Sequence, residues 1–111
     1  MKEECVCTVR ETMLWIQVPT ELDHHNASQI SREADERVQK EDVQEIVFDF
    51  AKTVFCDSSG IGMLMGRYKM MWALGGTVRA VHVGERVSKI LTMSGITKII
   101  PVELMQGGNM E

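Results

Sequence analysis

Short β-branched runs alternate along this chain with longer apolar stripes spaced three and four residues apart, and that alternation constrains the fold most. Strands separated by helices return through right-handed crossovers and build a parallel sheet with helices laid against it. Residues 5–10 (CVCTVR) and 13–18 (MLWIQV) are two strand candidates divided by the polar pair Glu11-Thr12, which predicts an antiparallel hairpin. In the second run Leu14, Ile16 and Val18 share one face, and Met13, Trp15 and Gln17 the other. From about 24 to 39, Ala27, Ile30, Ala34 and Val38 recur at helical spacing, with Glu33, Asp35, Glu36 and Arg37 mostly on the wet side. Asp23 and Asn26 are both suited to cap that helix.

Residues 45–50 (EIVFDF) read as a central strand, followed by a loop over 51–57. From 58 to 74 the stripe Ile61, Leu64, Met65, Tyr68, Met71 and Trp72 predicts a helix, ended by Gly75-Gly76 through a left-handed cap. A strand over 77–83 and a short helix over 85–93 follow, the latter with Val87, Ile90 and Leu91 inward and a stop at Gly95. A last strand is expected at 98–100, limited by Pro101. The order β-β-α-β-α-β-α-β gives an α/β fold: a mixed sheet, opening with an antiparallel hairpin and continuing in parallel β-α-β units, flanked by helices.

The 111 residues suffice for one domain and one core, expected over about 5–102, with 103–111 as a short tail. No apolar run reaches membrane-spanning length and no charged-then-apolar leader is seen, so the expectation is a cytoplasmic protein without membrane contact. Cys5, Cys7 and Cys56 are odd in number and lack metal-ligand spacing, which favours reduced, mostly buried thiols. The net charge of −4 is uneven: residues 1–57 carry 13 acids and 6 bases, and residues 58–111 carry 3 acids and 6 bases. No basic stripe with interleaved aromatics appears, which argues against direct nucleic-acid binding. The asymmetry suits a charged protein-docking face as well as a solvated surface.

The chemistry concentrates in residues 55–66, FCDSSGIGMLMG. As a dinucleotide cradle, Gly60, Gly62 and Gly66 are one residue off the usual spacing and lie seven loop residues beyond the strand. The plainer reading is that Gly60 and Gly62 allow tight backbone passage and Gly66 lets the helix lie close on the sheet. A hydrolase elbow needs glycines two before and two after its serine, but Ser58 has Cys56 and Gly60, and Ser59 has Asp57 and Ile61. His24 or His25 as base, with Asp23 nearby, would still want a separate orienting acid, and the pattern argues against an enzyme. A third reading makes Ser58 a phosphate acceptor at a helix N-terminus, where unpartnered amides and the helix dipole tolerate a phosphate. Asp57 and Ser58 also make a good N-cap, and the spacing is compatible with both.

The chain also carries ELDHH at 21–25, DSSGIG at 57–62, GRYK at 66–69 and MSGITKII at 93–100. In this order and spacing they resemble the sporulation anti-sigma factor antagonists, the anti-anti-sigma factors with the STAS-domain fold, through roughly residues 5–102. The resemblance implies a regulator rather than an enzyme. Its unphosphorylated form would bind an anti-sigma factor that is also a serine kinase and so release the sigma factor. The kinase would phosphorylate Ser58, and a serine phosphatase would reverse this. ATP or ADP would sit in the kinase, leaving this chain without a cofactor. The resemblance implies partner contacts at Asp23, Ser58, Ser59, Gly60, Ile61 and Gly62. Asp23 is then expected to pair with a basic group of the kinase, its replacement by alanine leaving the thermal melt nearly unchanged. Ile61 is either core or the apolar anchor of that interface. The alternatives are a STAS protein of another partner-switching pathway, such as stress response, and more remotely a nucleotide-binding domain built on Gly60, Gly62 and Gly66.

Overall fold

The period-two runs become strands and the three-four stripes become helices, in the order the sequence predicts, within a computed structural model that describes residues 6–106. Strands β1 (Val6–Arg10) and β2 (Met13–Gln17) form the antiparallel hairpin, and Glu11 takes φ 57 in its turn. A two-residue strand β3 (Glu21–Leu22) precedes α1 (His24–Lys40). Then come β4 (Glu45–Asp49), a second two-residue strand β5 (Phe55–Cys56), and α2 (Ser58–Ala73). The chain closes with β6 (Thr77–Val83), α3 (Glu85–Ser94), a 3-10 turn at Ile96–Lys98 and β7 (Val102–Leu104).

The main sheet has five strands in the order β1-β2-β4-β6-β7, antiparallel at the hairpin and parallel elsewhere. Leu14, Ile16 and Val18 are fully buried on one face of the β2 segment, as the alternation requires. They join Ile46, Phe48 and Phe50 from the β4 segment in a core closed by Ala27, Ile30 and Ala34 of α1. Met63, Leu64 and Met71 of α2 and Val87 and Leu91 of α3 complete it. Gly75 takes φ +81 after α2; its amide donates to Trp72 O at 3.1 Å and the Gly76 amide to Met71 O at 2.7 Å, the paired bonds of a Schellman cap. Gly95 ends α3 at φ +86.

Four expectations need correction, the first being the loop over 51–57, within which Phe55–Cys56 pair as β5. Residues 98–100 are not a strand. After Gly95 the chain tightens into the 3-10 turn and buries Ile96 and Ile100, leaving Ile99 partly exposed. The last strand forms beyond Pro101, which lacks an amide hydrogen but accepts from Ala80 N through its carbonyl at 2.9 Å. Glu103 and Leu104, expected in the tail, thus lie in β7, and the Met105 amide donates to Val83 O at 2.8 Å. Residues 107–111 and Cys5 lie outside the described residues. The inward stripe of α2 is also displaced from the expected one. Trp72 is 72% exposed, whereas Met63 is buried, because α2 packs against α1 as well as the sheet and turns a different arc inward.

On the sheet surface away from that core, Arg79 lies between Glu45, at 3.1 Å, and Glu103, at 2.9 Å. Buried Asp49 accepts from Trp15 Nε1 at 3.2 Å and Ala51 N at 2.9 Å, and pairs with His82 Nδ1 at 2.9 Å. His82 takes φ 56 where the β6–β7 register shifts, so Val83 turns into the core. Among the described residues no helix is long and apolar enough to cross a membrane.

Candidate functional site

The site is built by the smallest elements of the fold. Strands β3 and β5 pair in parallel, Glu21 opposite Phe55 and Leu22 opposite Cys56. The Val54 amide donates to Thr20 O at 2.8 Å and the Asp57 amide to Leu22 O at 3.1 Å, so the ladder extends on both sides. Buried Thr53 adds a side-chain tie, its hydroxyl 2.9 Å from Pro19 O and 3.2 Å from Val18 O. One residue beyond each short strand stands an aspartate, and each begins a helix. Asp23 (φ −101, ψ −175) and Asp57 (φ −100, ψ −174) have almost the same backbone geometry. Asp23 Oδ1 accepts from Asn26 N at 2.9 Å, and Asp57 Oδ1 accepts from Gly60 N at 3.1 Å. The paired strands therefore set the starts of α1 and α2 side by side, with two capping carboxylates and two positive helix ends on one surface.

Asp23 is thus the cap of α1, while Asn26 braces the loop by donating from Nδ2 to Glu21 O at 2.6 Å. This corrects the expectation that an alanine there leaves the melt unchanged, since a lost aspartate cap costs about 1 kcal/mol.

Ser58, the first residue of α2, is exposed. Ser59 is half-buried and turned toward α1, its Oγ 3.3 Å from His24 Nδ1. Gly60 is buried, and a Cβ there would lie 2.7 Å from Leu22 Cγ and 2.8 Å from Cys56 Sγ. Only glycine lets the first turn of α2 sit this close to the β3–β5 pair. Ile61 is half-buried and packs against the core, so it belongs at least partly to the interior. Gly62 is exposed, and a Cβ at Gly62 or Gly66 would meet nothing within 4 Å. Close passage is therefore a property of Gly60 alone among these three, and Gly66 does not serve to bring α2 onto the sheet.

This geometry disfavours the catalytic readings. The space above Gly60 is filled by Leu22 and Cys56 rather than open to a pyrophosphate. His24 does approach Ser59, but the Asp23 carboxylate is engaged as a helix cap and not as an orienting acid for the ring. Burial, with a smaller contribution from the Asp57 charge, pushes the Cys56 thiol up to about 11, which leaves it protonated and unreactive near neutrality. Among the described residues no group of three or more His, Cys, Asp and Glu side chains is placed to hold a metal. Two neighbours escaped the sequence reading: Val54 and Phe55 are 49% and 43% exposed just before Asp57. Their signal was available as apolar residues in the loop flanking the serines, but a strand-like run hides which side faces water.

Residues 5–106 match the family model described as the STAS domain. The chain belongs to the STAS domain family. Over 90 residues this STAS domain is 36% identical to the anti-sigma F factor antagonist of Paenibacillus polymyxa, covering 81% of this chain and 77% of that one. The solved anti-sigma factor antagonist SpoIIAA in its unphosphorylated form is similar at TM-score 0.79 and 26% identity, over 88% of this chain and 86% of that one. The Bacillus cell fate determinant SpoIIAA in its phosphorylated form is similar at TM-score 0.71 and 25% identity, over 88% of this chain and 89% of the other. These relatives are regulators by name, not enzymes.

Proposed function

We propose that this STAS domain is a cytoplasmic anti-sigma factor antagonist of the sporulation type, switched by phosphate on Ser58. Unphosphorylated, it binds an anti-sigma factor that is also a serine kinase, through Asp23 and the run Ser58, Ser59, Gly60, Ile61 and Gly62, and the sigma factor is released. The kinase transfers phosphate from its own ATP to Ser58, the complex loosens, and a serine phosphatase restores the active form. This chain contributes no cofactor; the nucleotide belongs to the kinase.

The observation that carries the reading is the exposed Ser58 on the first turn of α2, beside the Asp23 start of α1. A phosphate there replaces solvent at unpartnered amides and leaves the core untouched, so the fold stands in both states. Shifting a complex from 99% to 1% formed takes about 5.5 kcal/mol. Two unit charges about 4 Å apart interact by roughly 4 kcal/mol at an effective dielectric near 20. A near-dianionic phosphate held against an acidic or poorly hydrated partner surface therefore reaches the required size, whereas one that stays wet contributes under about 1 kcal/mol.

The test is binding and labelling with the anti-sigma kinase. Ser58→Ala should bind the kinase and escape inactivation by ATP, while Ser58→Glu should bind poorly, both with native melts. Continued phosphorylation of the alanine variant would move the acceptor elsewhere and overturn the assignment.

A further inference from the structure

Two hydroxyls stand next to one another at the start of α2, and only one is wanted as an acceptor. Successive residues of a helix point about 100° apart, so neighbours cannot share a direction. Ser58 takes the outward one and is exposed. Ser59 turns into a shallow crevice between the two helix starts, lined also by His24, Ser28, Ser31, Gly62 and Met63. There its Oγ lies 3.3 Å from His24 Nδ1, across 35 residues of sequence. His24 is the first residue of α1 and directly follows the Asp23 cap, so the β3–β5 pair that aligns the helices also brings the ring to Ser59.

We propose that His24 is the residue that decides which serine accepts the phosphate, an inference that rests on the phosphate-acceptor reading above and adds the source of its specificity. In the transfer, the serine Oγ bonds to the γ-phosphorus of ATP as the bond from that phosphorus to the β–γ bridging oxygen breaks. ADP departs, and the hydroxyl proton passes to a base of the kinase or to water. This needs an oxygen lone pair aimed in line with the departing oxygen and room for the γ-phosphoryl group. Ser58, exposed at the helix start, leaves that room and can turn its oxygen to the line. Ser59 would have to leave His24 and swing out of the crevice first. His24 does not touch the transferred group; it is a positioning residue, and its effect falls on Ser59.

The measurement is site-resolved mass spectrometry of the full chain after incubation with ATP and the anti-sigma kinase. Wild type should carry label at Ser58. His24→Ala should raise the share of label at Ser59 about fivefold, the equivalent of one ordinary hydrogen bond of about 1 kcal/mol. At Ser59 the double variant Ser58→Ala with His24→Ala should take label about fivefold faster than the nearly blank Ser58→Ala, and Ser58→Ala with His24→Asn should fall back to the Ser58→Ala rate. Asparagine restores a polar atom near the ring nitrogen's position, and a merely structural role for His24 would not predict that rescue. If the double alanine variant stays blank at Ser59 while His24→Ala is labelled normally at Ser58, the inference is overturned and the acceptor reading survives. A wild-type chain labelled at neither serine, or at Ser59, overturns both.

Discussion

Replacing Gly60 by alanine tests whether the site is held by packing, and the expected size follows from three distances. The new Cβ would lie 2.7 Å from Leu22 Cγ, 2.8 Å from Cys56 Sγ and 2.9 Å from Leu22 Cδ2, where ordinary contact begins at 3.4 Å. Leu22 is fully buried and Cys56 is 3% exposed, so neither side chain can swing into solvent, and α2 must lift from the β3–β5 pair. Overpacking of this kind costs about 1–3 kcal/mol, and the better helix propensity of alanine returns up to about 1 kcal/mol. The net expectation is a loss of about 1–2 kcal/mol, or a melting temperature lower by roughly 4–12 °C for a chain of this size. Gly62→Ala is the control: a Cβ there meets nothing within 4 Å, so only the propensity gain remains and the melt should rise by a few degrees. Thermal unfolding followed by circular dichroism reads both. Equal shifts in the two variants, or a Gly60→Ala melt at or above wild type, would refute the claim that close packing under the first turn holds the site.

Asp23 combines a cap and a charge, which two substitutions separate. Asp23→Asn keeps the cap and should melt like wild type while binding the kinase more weakly in a titration; Asp23→Ala should lose about 1 kcal/mol of stability as well. Cys56 retains its proton up to about 11 in the folded chain against an ordinary 9.0, so the folded state holds that proton more tightly. Its contribution is therefore complete below pH 9 and is lost as pH rises toward 11, by about 2–3 kcal/mol, and urea unfolding across that range should show a shallower decline in Cys56→Ala. Asp49→Ala strips the acceptor from Trp15, Ala51 and His82 and should cost about 2–4 kcal/mol in the same urea assay, with an altered Trp15 fluorescence.

The larger elements were legible because burial writes a period into the sequence. Leu14, Ile16 and Val18 alternate, and Ala27, Ile30 and Ala34 recur at helical steps, so β2 and α1 follow from spacing alone. Strands β3 and β5 are two residues each, too short for any period, and their partner lies more than thirty positions away. Lys98-Ile99-Ile100 looked like a strand because isoleucine favours one, but the left-handed Gly95 sends the chain into a tight turn before it reaches the sheet edge. Within the site, type and spacing mark Ser58 at a helix start and Asp23 as a cap, while the partner contacts at Asp23, Ser59, Gly60, Ile61 and Gly62 come from the family resemblance. What spacing does not encode is direction: that Ser59 faces His24, that Gly60 is pressed on Leu22 and Cys56, and that Gly62 and Gly66 are open.

The β3–β5 pair has a consequence for how the molecule comes into being. Its two halves come from opposite sides of a whole crossover, so closing the ladder costs the entropy of a loop of more than thirty residues. A chain cut between the two strands carries each half without the partner that sets the starts of α1 and α2 side by side.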